Sequence, residues 1–235
     1  LSGLVNKSLV IVEEQEGKSR YRFLETIRQY AMEKLVEAGE AIATRDRHLD
    51  FMLGVMEYSP TRMFGMEDLE LLDRIESEHD NLRAALEWAT ENHPATALKL
   101  AYSAGGFWTI RDYNAEAQFW CSTILGKTEA MSELEEDRGR LYGLLGWLMM
   151  TLGEHKKGRA ASEQAITLAE KSNDFYTMSR AYATAGLASC FLGDFPAAFP
   201  AIEKAESIAR EHDLAAELAF ILGSRAQLEF IEVLC

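Results

Sequence analysis

Arg140-Leu-Tyr-Gly-Leu-Leu-Gly-Trp147 is answered forty residues later by Arg180-Ala-Tyr-Ala-Thr-Ala-Gly-Leu187. The echo continues downstream, where Gly153 recurs as Gly193 and Ala165 as Ala205 at the same offset. Within each stretch the apolar residues fall at steps of three and four, which is the helical period. Gly146 and Gly186 remove side chains where two helices can cross closely. Gly153 and Gly193 supply a left-handed backbone for the turn between helices. A helix pair repeated at a fixed period cannot bury its apolar stripe alone, so successive pairs must stack side by side.

The same reading extends over most of the chain. Helical patterns are predicted over 42–58, 66–76, 78–92, 95–111, 114–126, 134–152, 155–172, 175–192, 196–211 and 214–233. Pro60, Pro94 and Pro196 fall at joints, where a missing N–H does little harm. Pro200 falls inside the first turns of its helix and predicts a late start or a bend. Ser132 and Glu135 have the spacing of a capping box. Segment 98–127 reads as a degenerate earlier repeat, and 214–235 as the start of a further one.

The first forty residues read differently. Residues 8–14 are rich in β-branched side chains, and 20–23 alternate polar and aromatic, with Gly17 in the polar turn between. This is a hairpin pattern. A helix with apolar residues at Ile27, Tyr30, Ala31, Leu35 and Ala38 follows, and Gly39 suits its C-terminal turn. The organisation expected is a partial winged-helix domain over 1–40, a helical linker over 41–94 and helical repeats over 95–235. The fold class is all-α: a right-handed α-α superhelix with a small hairpin-plus-helix remnant.

Charge and cysteine content narrow the function. The net charge is −14, of which residues 1–50 contribute only −1. An acidic surface repels phosphate backbones and anionic lipid, so direct nucleic-acid contact is not expected. Lys18, Arg20 and Arg22 on the hairpin form the one local exception, as DNA-contacting groups or as charges that protect a strand edge. Three widely spaced cysteines and no recognisable signal peptide point to a reducing, cytoplasmic location. No apolar run is long enough to cross a membrane. The chain starts without Met and stops inside a helical pattern, as a piece of a longer protein would.

Catalytic constellations are not found. There is no G-x-x-x-x-G-K-[ST], G-x-G-x-x-G or G-x-S-x-G, and His48, His79, His93, His155 and His212 lack metal-ligand spacing. The expectation is a non-enzyme without metal or bound cofactor in this segment.

Two resemblances sharpen this reading. Tyr142, Leu145, Gly146, Gly153 and Ala165, then Tyr182, Gly186, Gly193, Ala198 and Ala205, resemble the tetratricopeptide (TPR) signature, although the period is longer than usual. Leu4-Val-Asn-Lys-Ser-Leu-Val, Arg20-Tyr-Arg-Phe-Leu-Glu-Thr-Ile-Arg-Gln-Tyr-Ala and Glu78-His-Asp-Asn-Leu-Arg-Ala-Ala-Leu-Glu-Trp-Ala resemble bacterial STAND (NB-ARC-type) ATPase regulators, LuxR-type transcription regulators among them. That resemblance implies an upstream domain holding ATP or ADP, which these repeats would contact. The family's Met-His-Asp motif aligns with Phe23-Leu24-Glu25, where Leu24 cannot hydrogen-bond a phosphate.

The TPR register places particular residues in a concave groove. They are Lys99, Tyr102 and Ile110; Arg140, Gly143, Trp147, Met150 and Thr151; and Arg180, Ala183, Leu187, Cys190 and Phe191. Lys99, Arg140 and Arg180 then share one position in successive repeats. Such a cationic ladder favours a protein, an acidic peptide or a small carboxylate effector. Pairing within a helix, Arg140 with Glu136 for instance, is the competing reading. The functions implied are the effector- or partner-sensing module of a STAND-type regulator, a constitutive protein scaffold, or a DNA-contacting winged-helix regulator.

Overall fold

Helices occupy most of the computed structural model, which describes residues 2–15, 18–57 and 69–234. In chain order the elements are α1 (Ser2–Asn6), β1 (Val10–Gln15), β2 (Lys18–Phe23), α2 (Glu25–Glu37), α3 (Ala41–Glu57), α4 (Leu69–Ser77) and α5 (His79–Asn92). They continue with α6 (Pro94–Ile110), α7 (Asn114–Thr128), α8 (Glu135–Thr151), α9 (His155–Ser172), α10 (Phe175–Phe191), α11 (Phe195–Glu211) and α12 (Ala215–Leu234). The chain divides into two compact units, Leu1–Asp50 and Phe51–Cys235.

The first unit holds the predicted hairpin. β1 and β2 pair antiparallel, with Val12 opposite Tyr21 and Glu13 opposite Arg20. Arg22 also reaches Glu13, at 3.2 Å. The expected turn glycine, Gly17, lies outside the described residues. Gly39 closes α2 in the left-handed region, as its position predicts. No residue of α2 is fully buried; Ile27, Ala31 and Leu35 are half-buried and Tyr30 is exposed.

The second unit is built on a repeated joint. Asp112, Gly153, Asn173, Gly193 and Asp213 all have left-handed backbones, and the last four are twenty residues apart. At each joint the next residue's N–H reaches back to a carbonyl five positions earlier: Tyr113 to Trp108, Glu154 to Met149, Asp174 to Ala169, Asp194 to Ser189 and Leu214 to Ala209. These bonds satisfy carbonyls that a helix end leaves unpaired. Glycine adopts this conformation freely, and the short polar side chains of Asn and Asp tolerate it. Gly153→Ala and Gly193→Ala, at φ of 77° and 74°, should therefore each lose about 1 kcal/mol in urea unfolding. Neither added methyl would meet another atom within 4 Å, so the loss would report backbone strain alone.

The joint fixes the packing. Each first helix packs on its own second helix, α8 with α9 and α10 with α11. The first helices also pack on one another in succession, α6 on α8, α8 on α10 and α10 on α12. Stacked pairs at one spacing are the arrangement the repeat demands. The core between them includes Phe107, Trp108, Leu141, Leu148, Ile202 and Ile221.

Two local expectations change. α11 begins at Phe195 and continues through Pro200, without a late start. Pro200 has no N–H to give to the carbonyl of Pro196, so one helical bond near the helix start is lost. Ser132 opens a short 3-10 turn (Ser132–Leu134), and α8 starts at Glu135 with no side-chain cap. Glu135 instead receives Lys171 at 3.0 Å, because that pair joins two helices. The helix predicted from residue 66 is seen from Leu69; its first residues, Pro60 and Cys235 lie outside the described residues.

Candidate binding groove

The row of first helices sets the candidate site. Lys99, Arg140 and Arg180 each stand thirteen residues before a left-handed joint residue, Asp112, Gly153 and Gly193. They are therefore equivalent positions on α6, α8 and α10. Their surroundings are not equivalent. Lys99 is exposed and makes no ion pair among the described residues. Arg140 is held by three carboxylates: its Nε donates to Asp174 at 2.8 Å, Nη2 to Glu136 at 2.5 Å and Nη1 to Asp137 at 3.5 Å. Arg180 is buried, with its Nε and Nη2 donating to Glu217 at 2.8 and 2.6 Å.

Two of the three cations of the ladder are thus already paired with carboxylates. The pairing of Arg140 with Glu136 four residues earlier is present. The partners that do most to bury the charges come from the next repeat, Asp174 before α10 and Glu217 on α12. Arg180 also lies over two rings, 5.6 Å from Tyr176 and 4.9 Å from Phe220. Burial alone would weaken its charge, but the Glu217 bonds outweigh burial and hold the guanidinium protonated.

Tyr102 links two adjoining hollows. One is a cavity of about 30 Å³, lined by Tyr102, Gly105, Gly143, Tyr176, Arg140 and Arg180. That is room for one or two waters. The other is open and about 200 Å³, with Leu53, Leu98, Lys99, Ser103, Asp137 and Arg140 around Tyr102. Burial pushes the Tyr102 and Tyr176 phenols above their ordinary range, so both stay protonated hydrogen-bond donors at neutral pH.

The remaining groove residues separate by depth. Met150 and Leu187 are buried together with Ala188 between the repeats, with Trp147 and Phe220 packed against them. Trp147 meets Phe220 edge-on at 5.4 Å. Phe191 is exposed and stacks on His155 with ring centroids 4.8 Å apart. Cys190 and Ala183 are core residues, and Thr151 is exposed at the helix end. A ligand in the open hollow would meet Lys99, Tyr102 and Arg140, whereas Met150 and Leu187 line neither hollow.

Sequence reasoning did not find Tyr176, Ser103 or Glu217. Tyr176 precedes Arg180 by one helical turn, which places both on one face. Glu217 has no such signal, because its relation to Arg180 exists only once α12 stacks on α10. A second buried polar group lies elsewhere. His79 contacts Glu116 at 3.1 Å, and Arg83 holds the same carboxylate at 2.9 and 2.5 Å. Burial would raise the Glu116 pKa, but Arg83 and His79 together lower it. Among the described residues no group of His, Cys, Asp and Glu has the arrangement to hold a metal ion. No described helix is long and apolar enough to cross a membrane.

No family model matches the chain. It is homologous to a protein of Mycobacterium tuberculosis provisionally named an HTH-type transcriptional regulator, 33% identical over 220 residues, covering 91% of this chain and 24% of the relative. A protein of Mycobacterium bovis with the same description matches to the same extent. The chain thus spans about a quarter of the length of the relatives it matches. An uncharacterized protein of Mycobacterium tuberculosis is 51% identical over 45 residues, or 19% of this chain and 12% of that protein.

Proposed function

We propose that this chain is the ligand-sensing helical-repeat module of an HTH-type transcriptional regulator, with no catalytic activity of its own. Two observations support the regulatory reading: similarity to such regulators over 91% of the chain, and a row of first helices that leaves a hollow beside a cation. The single observation that carries the binding site is Lys99. It stands where Arg140 and Arg180 stand in the next repeats, yet among the described residues it makes no ion pair. The ligand class is a carboxylate, on an acidic peptide or a small effector. Its charge would pair with Lys99, and Tyr102 and Ser103 would donate to it.

In the cytoplasmic, STAND-type arrangement that the sequence resembles, ligand in this groove would bias a switch between two states of an upstream nucleotide-binding domain. DNA contact would fall outside the acidic repeats.

A thermal-shift screen of Asp/Glu-rich peptides and small dicarboxylates tests the site. A true ligand raises the melting temperature of the wild type, since ligand that binds only the folded state stabilises it. Lys99→Glu should weaken that ligand by about tenfold or more, equivalent to about 1.4 kcal/mol. Lys99 is exposed, so the variant should melt with the wild type in the absence of ligand. Equal shifts in wild type and Lys99→Glu for every ligand would reject the site.

A further inference from the structure

The open hollow beside Lys99 gathers polar groups that the described residues leave unanswered. Lys99 makes no ion pair among them. Tyr102 and Ser103 line the same hollow, and among the described residues neither hydroxyl takes part in a hydrogen bond. Ser103 departs from its counterparts. Thr109, Ser162, Thr184 and Ser224 each donate to the carbonyl four residues earlier. That local bond is the common resort of a hydroxyl inside a helix. Ser103 does not make it, so its hydroxyl is free to serve the hollow.

Asp137 is the fourth such group. It lines the hollow from α8, and its single ion pair among the described residues is the 3.5 Å contact with Arg140 Nη1. The shorter bonds of Arg140 go to Asp174 and Glu136, at 2.8 and 2.5 Å. Asp137 is therefore a half-buried acid with lone pairs to spare. Around the hollow, Lys99 and Arg140 face Glu136, Asp137 and Asp174. A ligand with two negative charges would meet Asp137 with no further cation to answer it. A ligand with one charge of each sign would satisfy both Lys99 and Asp137. The rest of the wall is apolar, made by Leu53, Leu98 and the Tyr102 ring. A volume of about 200 Å³ has room for about a dozen waters or more, enough for a molecule of about ten non-hydrogen atoms.

We infer that the hollow takes a free α-amino acid with an apolar side chain. Its carboxylate lies towards Lys99 and the two hydroxyls, its ammonium towards Asp137, and its side chain against Leu53 and Leu98. The inference rests on the carboxylate site proposed above and narrows its ligand to a zwitterion.

Thermal shift of the full chain tests it, with L-leucine, L-valine, L-methionine and L-phenylalanine as probes. At about ten times its dissociation constant, the amino acid that fits should raise the melting temperature by about 2–4 °C. That probe is then compared with its own skeleton lacking one charge. For leucine these are isocaproate, without the ammonium, and isoamylamine, without the carboxylate. Each should bind more weakly by about tenfold or more. Asp137→Asn, which keeps the shape and removes the charge, should weaken the amino acid by about tenfold or more and leave the carboxylate-only skeleton bound at least as tightly. Every shift is read against the same variant without ligand, so a change in the variant's own stability cancels. Equal affinity for the amino acid and its carboxylate-only skeleton, or for wild type and Asp137→Asn, would overturn the inference. A shift with succinate or an Asp/Glu-rich peptide, abolished by Lys99→Glu and matched by no amino acid, would also overturn it and leave the carboxylate site standing. If no probe gives a shift that Lys99→Glu abolishes, both fall.

Discussion

Glu217→Ala should cost about 3–5 kcal/mol in urea unfolding, because it removes the carboxylate that neutralises the buried Arg180 cation. Arg180 and Glu217 are 7% and 2% exposed, so bulk water does not reach the pair. The two nitrogen–oxygen contacts, 2.8 and 2.6 Å, form a bidentate pair between α10 and α12. The rings of Tyr176 and Phe220 hold the guanidinium in place but cannot neutralise it. The double change Arg180→Met/Glu217→Leu should recover most of the loss, since a packed apolar pair needs no desolvated charge. A loss below about 1 kcal/mol for Glu217→Ala would show that Arg180 finds water or another acid, and that the α10–α12 contact does not rest on this pair.

Gly186→Leu should be the second severe change, with a loss of about 3 kcal/mol or more in the same assay. Helix propensity favours the replacement by up to about 1 kcal/mol, so packing must reverse its sign. A first added carbon at this position already lies 2.9 Å from Ile202 Cγ1 and 3.0 Å from the Ala198 carbonyl. Ile202→Ala in the same chain should restore only part of the loss, because the carbonyl belongs to the α11 backbone and cannot rotate away. Gly126→Leu is the internal control: an added carbon there meets nothing within 4 Å, and the change should be neutral or stabilising. Equal outcomes at the two glycines would mean that α10 and α11 do not need their close approach.

Sequence and structure agree where the relevant forces are local. Periodicity placed the helices because apolar spacing reports the buried face directly. Gly153 and Gly193 were legible as joints because a left-handed turn favours glycine. Asp112, Asn173 and Asp213 make the same joint and went unread, since Asn and Asp serve many other roles on a surface. Pro200 does not delay the helix start, because its cost depends on which carbonyl it deprives, and that is set by where the helix begins. The groove was legible as a position but not as chemistry. The sequence equates Lys99, Arg140 and Arg180, whereas stacking decides that Asp174 and Glu217 reach the two arginines, while Lys99 makes no ion pair among the described residues. Met150 and Leu187 fit the groove register equally well, and the next helix covers them.

The even spacing of the left-handed joints bears on how such a chain changes length. Each forty-residue cassette begins and ends in the same backbone state, and each touches chiefly its immediate neighbours. Duplicating or deleting a whole cassette therefore keeps every surviving ridge in phase with its groove. Adding a single residue inside a helix turns all later side chains by about 100° and breaks that phase. Lineages of this architecture should accordingly differ by whole cassettes, and absorb odd residues at a joint such as the 3-10 turn before α8.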